Sequence, residues 1–106
     1  MIDRDVELKL GEKTYVLSPT LDAMRKINRS LGSPVEALQR AKFLDFDAIC
    51  TIISAGASLS QKQSERLQAE VFAAGLVTVT NSVAEFIGVL LDPTGSKDEG
   101  DDSGKS

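Results

Sequence analysis

One stretch, Val6 to Gly32 (VELKLGEKTYVLSPTLDAMRKINRSLG), limits what this chain can become. Val6, Leu8 and Leu10 alternate with Glu7 and Lys9, and Tyr15 and Leu17 alternate with Thr14 and Val16, which is the period of strands with one buried face. With Gly11 and Glu12 as the central pair of a two-residue turn, Leu8 faces Tyr15 and Val6 faces Leu17, so the larger apolar groups share a side. A three-residue loop would set Lys9 against Tyr15 and mix the faces. Glycine in the first central position also suits a type II′ turn, whose twist matches the strands it joins. The stretch predicts a β-hairpin.

Ser18-Pro19-Thr20 ends the second strand, because proline has no N–H to give the ladder. Thr20 then caps a helix with apolar positions Leu21, Met24, Ile27 and Leu31. Asp22 in its first turn and Arg29 in its last suit the helix dipole, and Gly32 supplies a left-handed stop. A lone two-stranded hairpin is marginal in water, so its apolar face needs this helix or a later one as a lid.

Ser33-Pro34, with Glu36 close behind, starts a second helix that ends by Lys42 and shows Val35 and Leu38 as its apolar stripe. Phe43 and Leu44 are expected to tuck into the core from the connection. Asp45 or Asp47 caps a third helix carrying Phe46, Ile49, Cys50, Ile52, Ile53 and Ala57. Its apolar surface extends well round the helix, so it is expected to be the most buried element. Several of these residues would suit a strand equally, but the acidic start and Ala55 and Ala57 favour helix. Ser60 and Gln63 form a capping box for a fourth helix, Gln61 to Ala74, with Leu67, Val71 and Ala74 on one side and Ala69, Phe72 and Leu76 trailing round. Gly75 closes it. A fifth helix, expected to begin between Thr78 and Asn81, shows Val79, Val83, Phe86, Ile87, Leu90 and Leu91, and Pro93 follows its end.

The fold read from these signals is α+β. A two-stranded N-terminal hairpin packs on a bundle of four to five short helices over residues 1–91, and an acidic tail, 92–106, is expected to be disordered. Net charge is −4 over the 106 residues, and −3 of it lies from Asp92 onward, so the body is close to neutral. Such a balance does not draw in nucleic acid by bulk charge.

Chemistry is sparse. The chain has no histidine, which removes the commonest general base and the usual zinc ligand together. Its single cysteine, Cys50, excludes an internal disulfide framework and sits in an apolar run as a small hydrophobe. The glycines lack the lysine of a phosphate loop, and the acidic run Asp98 to Asp102 lacks the spacing of a calcium loop. Neither an enzyme, a cofactor nor a metal site is expected. Ile2-Asp3-Arg4-Asp5 is charged where the apolar core of a leader would begin, and no apolar run approaches the ~20 residues of a membrane span. A cytoplasmic place of work is expected.

Two surface features remain. Arg25, Lys26 and Arg29, extended by Arg40 and Lys42, make a small basic patch suited to an acidic partner or a neighbouring subunit. The last helix carries more apolar groups than one core stripe needs, and an exposed apolar surplus marks a partner surface. Val83, Phe86, Leu90 and Leu91 are therefore the expected apolar contacts, and Arg25, Lys26 and Arg29 the charged ones.

The order of strand, Gly-Glu-Lys turn, strand, Pro19, basic helix, Gly32 and short helix resembles a family of small tail proteins from phages and phage-derived gene transfer agents, grouped with the phage tail assembly chaperones. The resemblance continues through Phe46-Asp47-Ala48-Ile49, the Ala-rich segment to Gly56 and Ala73-Ala74-Gly75-Leu76, and spans about residues 6 to 91. It implies a chaperone that binds the apolar, helical tape measure protein in the host cytoplasm while tail tube subunits polymerise around it, with homo-oligomers among the possible assemblies. A structural tail subunit, in the tube or as a connector, is the alternative, although tail tubes are built on sheets this chain lacks. A helical DNA-binding regulator is a third reading, opposed by the absence of Arg or Lys between Val79 and Leu91.

Overall fold

The computed structural model describes residues 4–92. Val6–Leu10 (β1) and Lys13–Leu17 (β2) pair antiparallel in the register that the alternation requires, Val6 opposite Leu17 and Leu8 opposite Tyr15. Gly11 has φ 64 while Glu12 keeps a negative φ, the signature of a type II′ turn. The shared face is buried at Val6, Leu8, Leu10 and Leu17, with Tyr15 half-buried beside them.

Five helices follow: Leu21–Leu31 (α1), Pro34–Lys42 (α2), Phe46–Ala57 (α3), Gln61–Ala74 (α4) and Leu76–Leu91 (α5). Four begin on side-chain caps. Thr20 Oγ1 accepts from the Ala23 N–H at 3.0 Å, Ser33 Oγ from Glu36 at 3.1 Å and Asp45 Oδ1 from Ala48 at 3.1 Å. Ser60 and Gln63 bond each other's backbone reciprocally, completing the capping box. Helix α5 differs from expectation, starting at Leu76 directly after Gly75 without a side-chain cap. Gly75, at φ 94, turns the chain through one residue, so no connecting segment remains and Thr78 and Thr80 lie inside the helix.

Helix α3 is the hub, packed on α1, α2, α4, α5 and β2. It buries Ala48, Ile49, Cys50, Ile52, Ile53, Ala55 and Gly56, which bears out its expected place as the most buried element. Gly56 sits where a side chain would not fit. A Cβ there would fall 2.9 Å from the Phe86 ring and 3.1 Å from Leu17 Cβ. The Ser18 N–H also donates to the Gly56 carbonyl at 3.0 Å, tying the end of β2 to the end of α3. Helix α5 then closes the core against α2, α3, α4 and β1. No polar or charged side chain is buried among the described residues.

Three details depart from the sequence reading. Helix α1 turns Ala23, Ile27 and Leu31 inward, with Met24 alongside, and leaves Leu21 72% exposed. Leu21 stands two residues, or about 200°, from Ala23, so both cannot face inward. Helix α2 buries Pro34, Ala37 and Ala41 and exposes Val35, because small side chains let it lie close to α5 and α1. Phe43 and Leu44 do not tuck in: they are 84% and 40% exposed. Of the tail expected to be disordered, 92–106, residues 93–106 lie outside the described residues, while the Asp92 carbonyl accepts from the Arg4 guanidinium at 3.3 Å.

Candidate partner-docking surface

The apolar contacts expected on the last helix are mostly core. Val83 and Phe86 are fully buried and Leu90 is nearly so, which leaves Leu91, half-exposed, as the accessible member of that set. The apparent surplus on α5 is absorbed because α5 meets four other elements, so one helix fills several inner surfaces at once. Its outward positions are Val77, Thr78, Asn81, Glu85, Gly88 and Leu91, which include an acid and no base.

Exposed apolar groups gather elsewhere. One set flanks Gly75: Phe72 on α4 and Val77 on α5 stand 80% and 72% exposed, and Ala69 and Ala73 are exposed on the same helix as Phe72. The other is the turn between α2 and α3. There the Asp45 N–H reaches back to the Arg40 carbonyl at 3.0 Å and the Leu44 N–H to Ala41 at 2.9 Å, a helix-ending motif whose penultimate residue must be left-handed. Leucine fills that position at φ 62, where glycine is the usual occupant. The same backbone geometry throws Phe43 and Leu44 outward.

The basic residues are placed as a surface. Lys26 is half-buried and paired with Asp22 one turn away at 3.0 Å. Arg25 and Arg29 are exposed and, with Leu21, fall at i, i+4 and i+8. They form a ridge directly opposite the buried Ala23, Ile27 and Leu31. On α2, Val35 and Gln39, continued by Phe43, make a similar exposed ridge opposite Ala37 and Ala41, flanked by Arg40 and Lys42. Among the described residues Arg25, Arg29, Arg40 and Lys42 have no ion-pair partner, the two salt bridges being Lys26–Asp22 and Lys13–Glu70.

Two polar arrangements escaped the sequence reading. Glu70 of α4 accepts a short hydrogen bond from the Tyr15 hydroxyl and an ion pair from Lys13 at 3.1 Å, joining the hairpin to α4. The Tyr15 hydroxyl lowers the Glu70 carboxyl, while burial and then the bond to Glu70 push Tyr15 up to about 12. No local motif marks this cluster, since its members are 55 residues apart. A groove of about 450 Å³ also runs between α1 and α4 over α3, lined by Lys26, Ser30, Asp47, Thr51, Ser54 and Gln68 with Cys50 at its side. Ser64 donates to Ser54 across one end at 2.9 Å. Burial, helped by Asp47, pushes the Cys50 thiol up to about 11, so near neutral pH it is a protonated thiol without nucleophilic character.

Among the described residues there is no cluster of His, Cys, Asp or Glu able to hold a metal, and no helix is long and apolar enough to cross a membrane. No family model, curated protein or solved structure matches the chain.

Proposed function

We propose that this protein is a non-enzymatic tail assembly chaperone, which binds the helical tape measure protein of a phage-like particle and keeps it soluble while tail tube subunits assemble. The observation that carries the reading is the exposure of Phe43 and Phe72, two of the four phenylalanines in the chain, at 84% and 80%. Phe43 stands next to exposed Leu44, and an exposed apolar patch, more than a lone side chain, marks a protein surface meant to be covered. The order of hairpin, basic helix and short helix that resembles the tail assembly chaperones supports the same reading, as does a mixed surface of arginines and aromatics, the residues that dominate protein interfaces.

The test is co-expression with a tape measure fragment in a bacterial cytoplasm. The native chain should raise the soluble fraction of the fragment and co-purify with it. The double variant Phe43→Ser/Phe72→Ser should keep its melting temperature, both side chains being exposed, yet lose the fragment. Retention by the double variant overturns the reading. So does stoichiometric presence of the protein in purified particles by mass spectrometry, which would make it a structural subunit.

A further inference from the structure

We infer that the outward face of α1 and α2 docks an acidic amphipathic helix, its carboxylates meeting Arg25 and Arg29 and its apolar side chains resting on Phe43 and Leu44. The apolar character of the partner rests on the chaperone reading; its acidity, its helical form and its place of docking do not. Charge argues for acidity. Residues 21–44 carry five bases against two acids, Asp22 and Glu36. Asp22 is taken up by Lys26, and the Glu36 carboxylate lies back over Gly32, so close that a Cβ there would fall 1.9 Å from Glu36 Oε1. Arg25, Arg29, Arg40 and Lys42 are thus left without partners among the described residues, in a chain whose net charge is −4. A positive face on an otherwise acidic protein selects an acidic partner.

Geometry argues for a helix. Arg25 and Arg29 are four residues apart, about 6 Å along the α1 axis. Carboxylates at the same i, i+4 spacing on a facing helix meet both at once. The apolar end of the face is the turn between α2 and α3. Leu44 holds a left-handed backbone there and still leaves 40% of its surface exposed, although glycine or asparagine would adopt the turn with less strain. Strain maintained at an exposed apolar residue, next to an exposed phenylalanine, is accounted for when the side chain is a contact. Leu21 on the α1 ridge and Val35 on the α2 ridge are exposed as further apolar groups on these two packed helices.

The test titrates the full chain, isotopically labelled for NMR, with a synthetic helical peptide of about 20 residues, long enough to span the face. The peptide carries leucines on one side and glutamates at i, i+4 along the flank; its twin replaces each glutamate by lysine. Saturable shifts at Leu21, Arg25, Arg29, Val35 and Phe43 are expected with the acidic peptide only. Affinity should weaken with added salt and fall by roughly tenfold in Arg25→Glu/Arg29→Glu, while Arg25→Lys/Arg29→Lys keeps most of it. Equal binding of the lysine twin, shifts centred on Phe72 and Val77, or no loss in the charge-reversed variant would overturn the proposal. The two levels separate cleanly. A tape measure fragment retained by Arg25→Glu/Arg29→Glu/Phe43→Ser but lost by Phe72→Ser/Val77→Ser sinks this docking site and leaves the chaperone reading standing. Acidic-peptide binding on this face with no capture of any tape measure fragment does the reverse.

Discussion

Helix α5 and the turn between α2 and α3 carry the same kind of side chain and send it in opposite directions. In α5, Val79, Val83, Phe86, Ile87, Val89 and Leu90 are buried, and the helix closes the core against four other elements. In the turn, Phe43 stands in water and Leu44 is 40% exposed. Hydrophobicity alone does not separate the two; the difference is how many neighbours each position meets. A helix laid across a small bundle touches elements on several sides, so even a broad apolar surface is used up. A turn at the end of the bundle touches few, and its backbone geometry decides where its side chains go. Apolar groups in the first setting hold the fold together, and those in the second are free to meet another molecule.

The sharpest way to break this comparison is to truncate the buried side. Phe86→Ala should cost about 3–5 kcal/mol, the range for emptying a filled aromatic site, read as a lowered denaturant midpoint at unchanged slope. A loss below about 1 kcal/mol would mean that α5 is not the closing element. Filling the space beside it is the next test. Gly56→Ala places a methyl group 2.9 Å from the Phe86 ring and 3.1 Å from Leu17 Cβ, so overpacking should cost about 1–3 kcal/mol. The double variant Gly56→Ala/Phe86→Leu should recover part of that cost, because the two side chains share one volume.

A smaller effect is expected where the hairpin is tied to α4. Glu70→Gln removes the ion pair with Lys13 and weakens the bond from Tyr15, for about 1 kcal/mol near neutral pH. The pH dependence follows in sign. The Glu70 carboxyl is depressed in the fold, so its contribution is present above the ordinary carboxylate range and is lost as pH falls through the lowered value. The Tyr15 hydroxyl is raised from 10.0 to about 12, so its contribution is complete below pH 10 and fades toward pH 12. Burial of the Cys50 thiol, raised from 9.0 to about 11, adds a loss that begins near pH 9. Thermal melts should therefore decline at both extremes. Glu70→Gln should flatten the acid limb, and Tyr15→Phe should flatten the alkaline one above pH 10.

The smallest change carries the opposite sign. Leu44→Gly should stabilise by about 0.5 kcal/mol, because glycine adopts φ 62 without the steric conflict of a Cβ and that relief outweighs the loss of a side chain left 40% exposed. The same substitution should weaken partner capture if the turn is a contact. Stability gained with binding lost would sharpen the comparison between the two regions. A destabilised variant would show that Leu44 supports the fold after all.

Much of the architecture was legible along the chain because it is decided by neighbours in sequence. The strand register follows from alternation around Gly11, and the caps at Thr20, Ser33, Asp45 and Ser60 need only a side chain three residues from an N–H. The prominence of α3 was visible in the width of its apolar surface. The surface was read less well. Leu21 and Val35 satisfied a helical stripe by hydrophobicity, yet the smaller Ala23, Ala37 and Ala41 took the inner positions.

What the sequence by itself determined is the set of elements, their ends and the pairing of the hairpin, since hydrogen bonds and caps act over a few residues. Tertiary structure alone decided which apolar groups were consumed. It buried Val83, Phe86 and Leu90, exposed Phe43 and Phe72, and brought Lys13, Tyr15 and Glu70 together across the fold. Burial depends on how many elements converge at a point, and that number is set only when helices choose their phases against one another.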